Sequence, residues 1–117
     1  KKEDDWSVLL LLKKRDLIGI CLLKRFKTGH PVTGIAIREN CHRTGLGFLL
    51  QSLINEQARM LNIRTLWSGA AQDNTASLQL HEKCGFKRTG KLLPHYSMAN
   101  GVKIIDRHDV DMIKEFE

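Results

Sequence analysis

Proline is scarce in this sequence, with two in 117 residues, and aromatic residues make up only 6%. No proline-rich linker divides the chain, and there is little aromatic surface on which nucleic-acid bases could stack. The cysteines, Cys21, Cys41 and Cys84, are odd in number and widely spaced, without a C-x-x-C pair. That pattern argues against a disulfide framework and fits reduced packing thiols in a cytoplasmic protein. Long hydrophobic runs are missing too. Leu9 to Leu12 is far too short to span a membrane or to form a signal-peptide core. Internal repeats and low-complexity tracts are also absent. What is present is ordinary for a globular chain: 42% apolar and 27% charged residues, in a length that suits one domain over 1–117. The net charge of +6 fits an anionic ligand or a solvated basic surface.

Residues 6–12 are rich in strand formers, 13–16 form a polar turn, and 17–23 return as a second strand. Leu9 to Leu12 lacks alternation, which predicts burial on both faces or a short helix. After a basic connection over 24–29, His30-Pro31 opens a third strand that ends near Arg38, and its Val32 to Ile37 stretch reads as buried. Leu46, Leu49, Leu50, Leu53, Ile54, Ala58 and Leu61 recur at the spacing of one helical face, predicting a helix over 45–61 with Asn62 as a left-handed stop. Residues 63–68 alternate as a strand, and 69–74 read as a loop. Asn74 or Thr75 caps a second helix through Lys83, which Gly85 stops. Two strands, 87–98 and 102–113, flank the hairpin turn Asn100-Gly101, with Pro94 marking a bulge or an edge. The order β-β-β-α-β-α-β-β predicts an α/β (α+β) fold with a mixed sheet.

Between the third strand and the long helix stands His42-Arg43-Thr44-Gly45-Leu46-Gly47. Glycine admits close approach of backbone N–H groups, and a helix start offers unpaired N–H groups at the positive end of its dipole. Together they form a phosphate-binding turn. A Walker loop would continue Gly-Lys-Ser/Thr, but Phe48-Leu49 follows Gly47. A dinucleotide fingerprint would place a third glycine where Leu50 stands.

The turn resembles the pyrophosphate loop of the GNAT N-acetyltransferases, Gln/Arg-x-x-Gly-x-Gly/Ala, with His42 departing from the first position. A second block, Asn74 to Phe86, resembles the family's Asn-x-x-(Ala/Ser)-x-x-x-Tyr/His-Glu-Lys-x-Gly-Phe at the expected spacing of about thirty residues. The likeness runs from about Trp6 to Ile113 and is nearest the phosphinothricin-type acetyltransferases, which share Arg-Thr-Gly-Leu-Gly (here Arg43 to Gly47) and His-Glu (here His81-Glu82). The aromatic usual in that group's last hairpin turn is not evident, since Val102 and Lys103 follow Gly101. The family usually begins with a strand and one or two helices ahead of this hairpin. The resemblance therefore implies a complete cofactor-binding half and a partial acceptor half.

It also implies acetyl-CoA as cosubstrate and acetyl transfer to a primary amine, a small molecule or amino acid, by direct attack. Ile35 would direct its N–H at the thioester carbonyl, and Ile37 would line the pantetheine. His42, Arg43, Thr44, Gly45, Leu46 and Gly47 would hold the pyrophosphate, and Asn74 the pantetheine arm. His81 stands where the family commonly has a tyrosine that protonates the departing thiolate. It is alternatively a polar residue of a half-buried helix face. For the amine's proton, the family's strand carboxylate is missing from 28–37, where His30 is the only titratable group. His95-Tyr96 and His108 suit cross-strand surface pairs better than an acceptor pocket, and Trp6 and Trp67 read as core. Asp109 and Asp111 oppose His108 along their strand, against a metal site. The partners implied are a small-molecule or peptide amine and, in assembly, a second copy of the chain; nucleic acid is disfavoured and a membrane is excluded. A non-catalytic acyl-CoA sensor is the alternative reading.

Overall fold

The computed structural model describes residues 6–24, 29–42 and 44–116. The elements are β1 (Trp6–Lys13), β2 (Asp16–Lys24), β3 (Val32–Ile37), a 3-10 turn (Glu39–Cys41), α1 (Leu46–Met60), β4 (Thr65–Ala71), α2 (Thr75–Lys83), β5 (Lys87–Ala99) and β6 (Val102–Glu115). The strands form one mixed sheet in the order β1-β2-β3-β4-β6-β5. Every neighbouring pair is antiparallel except β3 and β4, as the helical crossover between them requires. Among the described residues no helix is long and apolar enough to cross a membrane.

Local chemistry sets the turns. Asn62 ends α1 in the left-handed region at φ 63°, and Asn100 and Gly101 take φ 52° and 78° at the β5–β6 turn. Asn74 caps α2, its side-chain oxygen accepting from the Ser77 N–H at 3.2 Å. Pro94 lies on an edge strand whose register shifts between His95 and Tyr96.

The core forms on one face of the sheet. Cys21 and Leu23 of β2, Leu66 and Ala70 of β4, and Val110 and Met112 of β6 meet Leu50, Ile54 and Ala58 of α1 and Leu78 of α2. Alternation places these strand residues on a common side. Burial also pushes the Cys21 thiol up to about 11, in keeping with an inert packing group.

Several expectations are corrected. Leu9 to Leu12 is an alternating edge strand rather than a doubly buried one or a helix. Leu9 and Leu11 pack on the core, and Leu10 and Leu12 are exposed on the far face, which neither helix covers. Trp6 shares that face and is 54% exposed rather than core. Val32 to Ile37 is half-buried except for Thr33 and Ala36, because one side of β3 borders a cleft. Gly69 to Ala71 is strand, not loop: β6 pairs with it from Asp109 to Asp111. On α1 the buried face is Leu50, Gln51, Ile54, Asn55 and Ala58, leaving Leu49, Leu53 and Leu61 exposed. There Gln51 donates to the Asn55 side-chain oxygen at 2.9 Å and Asn55 donates to the Cys84 carbonyl at 3.3 Å, while Gln51 Oε1 is buried without a protein partner.

Candidate active site

The site begins where the sheet comes apart. β3 and β4 share a single register pair, Val32 with Trp67, and the Trp67 N–H donates to the Pro31 carbonyl at 3.0 Å. One residue further there is no register pair, and the Ser68 hydroxyl oxygen lies 3.2 Å from the Thr33 carbonyl. Along a strand, backbone groups point alternately to the two neighbours. Arg38 donates to β2 at the Ile18 carbonyl, so even-numbered residues of β3 face β2, whereas Pro31 and Thr33 face β4. By that alternation the N–H of Ile35 faces the opening, with no ladder partner on β4. On the far side the odd-numbered Gly69 and Ala71 of β4 face the same gap.

A cleft of about 870 Å³ runs from this opening between α1 and α2. Ile35, Ala36 and Ile37 form its strand wall, Cys41, His42, Gly45, Gly47 and Phe48 one side, and Asn74 to Ser77, Gln79, Leu80 and Lys83 the other. No carboxylate lines it among the described residues. Gly45 is the residue before α1 and adopts φ 84°, a left-handed conformation that favours glycine. No side chain caps α1, so its first-turn N–H groups keep their donor capacity at the cleft. At Gly47 a Cβ would stand 3.0 Å from Leu80 Cδ2, tighter than an ordinary contact, so a larger residue there presses on the Leu80 side chain. The ring of His42 donates from Nε2 to the Ile37 carbonyl at 2.8 Å, and Thr44 donates to the Cys41 carbonyl. These two bonds fasten the turn to the end of β3. A helix start with uncapped N–H groups therefore sits at one end of the cleft and a strand N–H without a ladder partner at the other.

His81 lies apart from this cleft. It is 2% exposed, and both ring nitrogens are engaged. Nδ1 donates to the Ser77 carbonyl at 2.7 Å, which leaves Nε2 of the neutral ring to accept from the Ser68 hydroxyl at 2.7 Å. Phe86 packs edge-on against the ring at 5.4 Å. Burial holds the imidazole below its ordinary pKa, while the Ser77 carbonyl pulls weakly the other way. A ring so held ties α2 to β4 and has no free nitrogen to offer a thiolate. The structure thus places the expected general acid beside the cleft and not on its lining, with both ring nitrogens bonded.

Of the other expected residues, Ile35, Ile37, His42, Gly45, Gly47 and Asn74 all line the cleft, whereas Leu46 does not. Thr44 acts by holding the turn, and Arg43 lies outside the described residues. His30 stacks on Trp67 at 4.1 Å, away from the cleft. His95 pairs with Asp106 across the hairpin at 2.8 Å, and Tyr96 lies under the Lys103 ammonium at 4.4 Å. Sequence reasoning missed Thr75, Gln79 and Lys83. Their i, i+4, i+8 spacing, one face of α2, was the available signal.

The chain matches the family Acetyltransferase (GNAT) domain over residues 1–87. Among curated proteins none matches it by sequence. Solved structures share the fold. A Bacillus subtilis acetyltransferase in complex with CoA is 20% identical, with 96% of this chain and 78% of that one covered and a TM-score of 0.76. A provisionally assigned phosphinothricin N-acetyltransferase is 23% identical, with coverages of 94% and 71% and a TM-score of 0.73. A ribosomal-protein-alanine N-acetyltransferase from Brucella melitensis is 22% identical, with coverages of 95% and 69% and a TM-score of 0.76. With three quarters of its length inside the family's domain and the six-stranded sheet parting above a glycine-led helix, this chain belongs to the GNAT acetyltransferase family.

Proposed function

We propose that the protein is an acetyl-CoA-dependent N-acetyltransferase that transfers the acetyl group to a primary amine by direct attack. The observation that carries the proposal is the parting of β3 from β4 after one residue pair, which leaves the Ile35 N–H facing a cleft that ends at the uncapped start of α1. The two ends suit the two ends of acetyl-CoA. Pyrophosphate matches the N–H groups around Gly45 and Gly47, and the thioester matches the opening.

Attack by the amine places negative charge on the thioester oxygen, and a fixed N–H there lowers the barrier by about 3 kcal/mol. The Ile35 N–H is held for that task by β3, whose other edge is bonded to β2. Asn74, while capping α2 through its oxygen, keeps its amide N–H groups for the pantetheine. The departing CoA thiolate needs less help than an amine or alkoxide would, since a thiol is much the stronger acid and its anion the better leaving group. Water then takes the amine proton and supplies the thiol proton. His81 contributes by fixing α2 against β4, which sets the width of the cleft.

The acceptor is a small-molecule or amino-acid amine in this proposal, and assembly into a homodimer and residence in the cytoplasm belong to it as well. Proteins of this fold carry names that specify both small-molecule and protein acceptors, so the acceptor follows from a panel. The test is calorimetric titration with CoA, followed by thiol release from acetyl-CoA across primary amines. Binding with release supports the enzyme. Binding without release from any amine favours an acyl-CoA sensor, and no binding at millimolar CoA overturns the assignment of the cleft.

A further inference from the structure

We propose that Lys83 reads the 3′-phosphate of the cosubstrate, so that the cleft prefers CoA to its 3′-dephospho form. This deepens the acetyl-CoA reading above and rests on it. Lys83 is the one Lys, Arg, Asp or Glu side chain among the described residues that line the cleft. It ends α2 at the opposite extreme from Asn74, about 13.5 Å away at the helical rise of about 1.5 Å per residue. Its ammonium lies 5.0 Å from the centre of the Phe48 ring, in the first turn of α1, and an aromatic face attracts a cation at that range. The neighbouring Glu82 does not compete for it, since its carboxylate is bonded to Arg88 at 3.1 Å.

CoA carries two phosphate features, a pyrophosphate and a ribose 3′-phosphate. The backbone N–H groups at the start of α1 suffice for the first. Leu80, which touches the Gly47 position, marks where that seat meets α2, and Lys83 lies most of a turn beyond it toward the rim. A nucleotide leaving the pyrophosphate seat past Phe48 brings its 3′-phosphate to this ammonium. The phosphate is a near-dianion and an ammonium is a compact cation, so pairing needs no fixed geometry.

The experiment is calorimetric titration of CoA and 3′-dephospho-CoA against wild type, Lys83→Gln and Lys83→Arg, each checked for a native melting curve. An exposed ion pair predicts that wild type binds CoA about fivefold more tightly than 3′-dephospho-CoA. Lys83→Gln then binds both ligands alike, at the wild-type affinity for the dephospho form, and Lys83→Arg retains the preference. Equal binding of both ligands by wild type overturns the proposal. A preference that survives in Lys83→Gln does the same, and so does an equal weakening of both ligands, which moves Lys83 to the pyrophosphate. Failure of the acetyl-CoA reading itself is distinct: wild type then binds neither ligand.

Discussion

Replacing His81 with alanine separates a positioning residue from a proton donor. The substitution removes the bonds to the Ser77 carbonyl and the Ser68 hydroxyl, both 2.7 Å, and the edge contact with Phe86. Neither partner is orphaned. The Ser68 proton turns to the Thr33 carbonyl, 3.2 Å away, and the Ser77 carbonyl lies within α2. The loss is therefore the net value of two buried hydrogen bonds, about 1 kcal/mol each. The space left by a buried ring adds about 1–2 kcal/mol, at the low end for large-to-small changes because α2 can settle. About 3 kcal/mol in all lowers the melting temperature by about 12 °C in a domain of this size. Thermal denaturation followed by circular dichroism measures it, and His81→Asn, which keeps a donor near Nδ1, recovers part of the loss. Turnover per folded molecule falls less than about tenfold, below the range of general acid catalysis. An unchanged melting curve with turnover down a hundredfold refutes this reasoning and returns His81 to the chemistry.

Because burial depresses the His81 pKa, the unfolded chain takes up a proton that the native one resists. The contribution is present above the unfolded value of about 6.5 and is lost as pH falls from there through the lower folded value; urea denaturation from pH 7.5 to 5 shows a falling midpoint whose slope shrinks in His81→Asn. Gly45→Glu places a side chain and a negative charge at the anion seat in a left-handed backbone, so CoA affinity by calorimetry falls at least about tenfold while the fold persists. Gly47→Val crowds Leu80 and narrows the cleft, weakening CoA with a smaller stability loss, read from the same titration and a melting curve. Cys41 lines the cleft, so a thiol reagent modifies it before the buried Cys21, and saturating CoA slows the reaction; equal rates with and without CoA count against the cofactor's position.

What could be read directly from the chain was whatever neighbouring residues decide among themselves. Asn62, the Asn74 cap, the Asn100-Gly101 turn and the glycine-led start of α1 each follow from a conformation or a bond within four residues. The order of elements along the chain and the mixed sheet followed because the two helices alternate with strands, whereas the place of β6 between β4 and β5 did not. Features decided by distant partners were hidden. Gly69-Ala70-Ala71 has no strand preference of its own and is a strand because β6 pairs with it. Leu9 to Leu12 carries two faces' worth of leucine but covers the core with only one, since neither helix covers the other face of β1. The burial of His81 depends on Ser68, thirteen residues away on another element. The gap between β3 and β4 leaves no mark in either strand's composition, which is why the Ile35 assignment came from family likeness and not from pattern.

That gap also bears on how the molecule holds together. With one register pair across it, the sheet is two antiparallel halves, β1-β2-β3 and β4-β6-β5, joined as a book is at its spine. The packing of α1 and α2 across the core acts as the binding, and the pages stand ajar on the cleft side. On the proposed reading, a ligand lodged between them would clasp the halves, its own amide groups standing in for the ladder bonds that the strands do not make. Its binding energy thus appears as resistance to opening along the seam. At a hundredfold excess over Kd the gain is about 2.7 kcal/mol, and hydrogen exchange should show it first at the facing edges of β3 and β4.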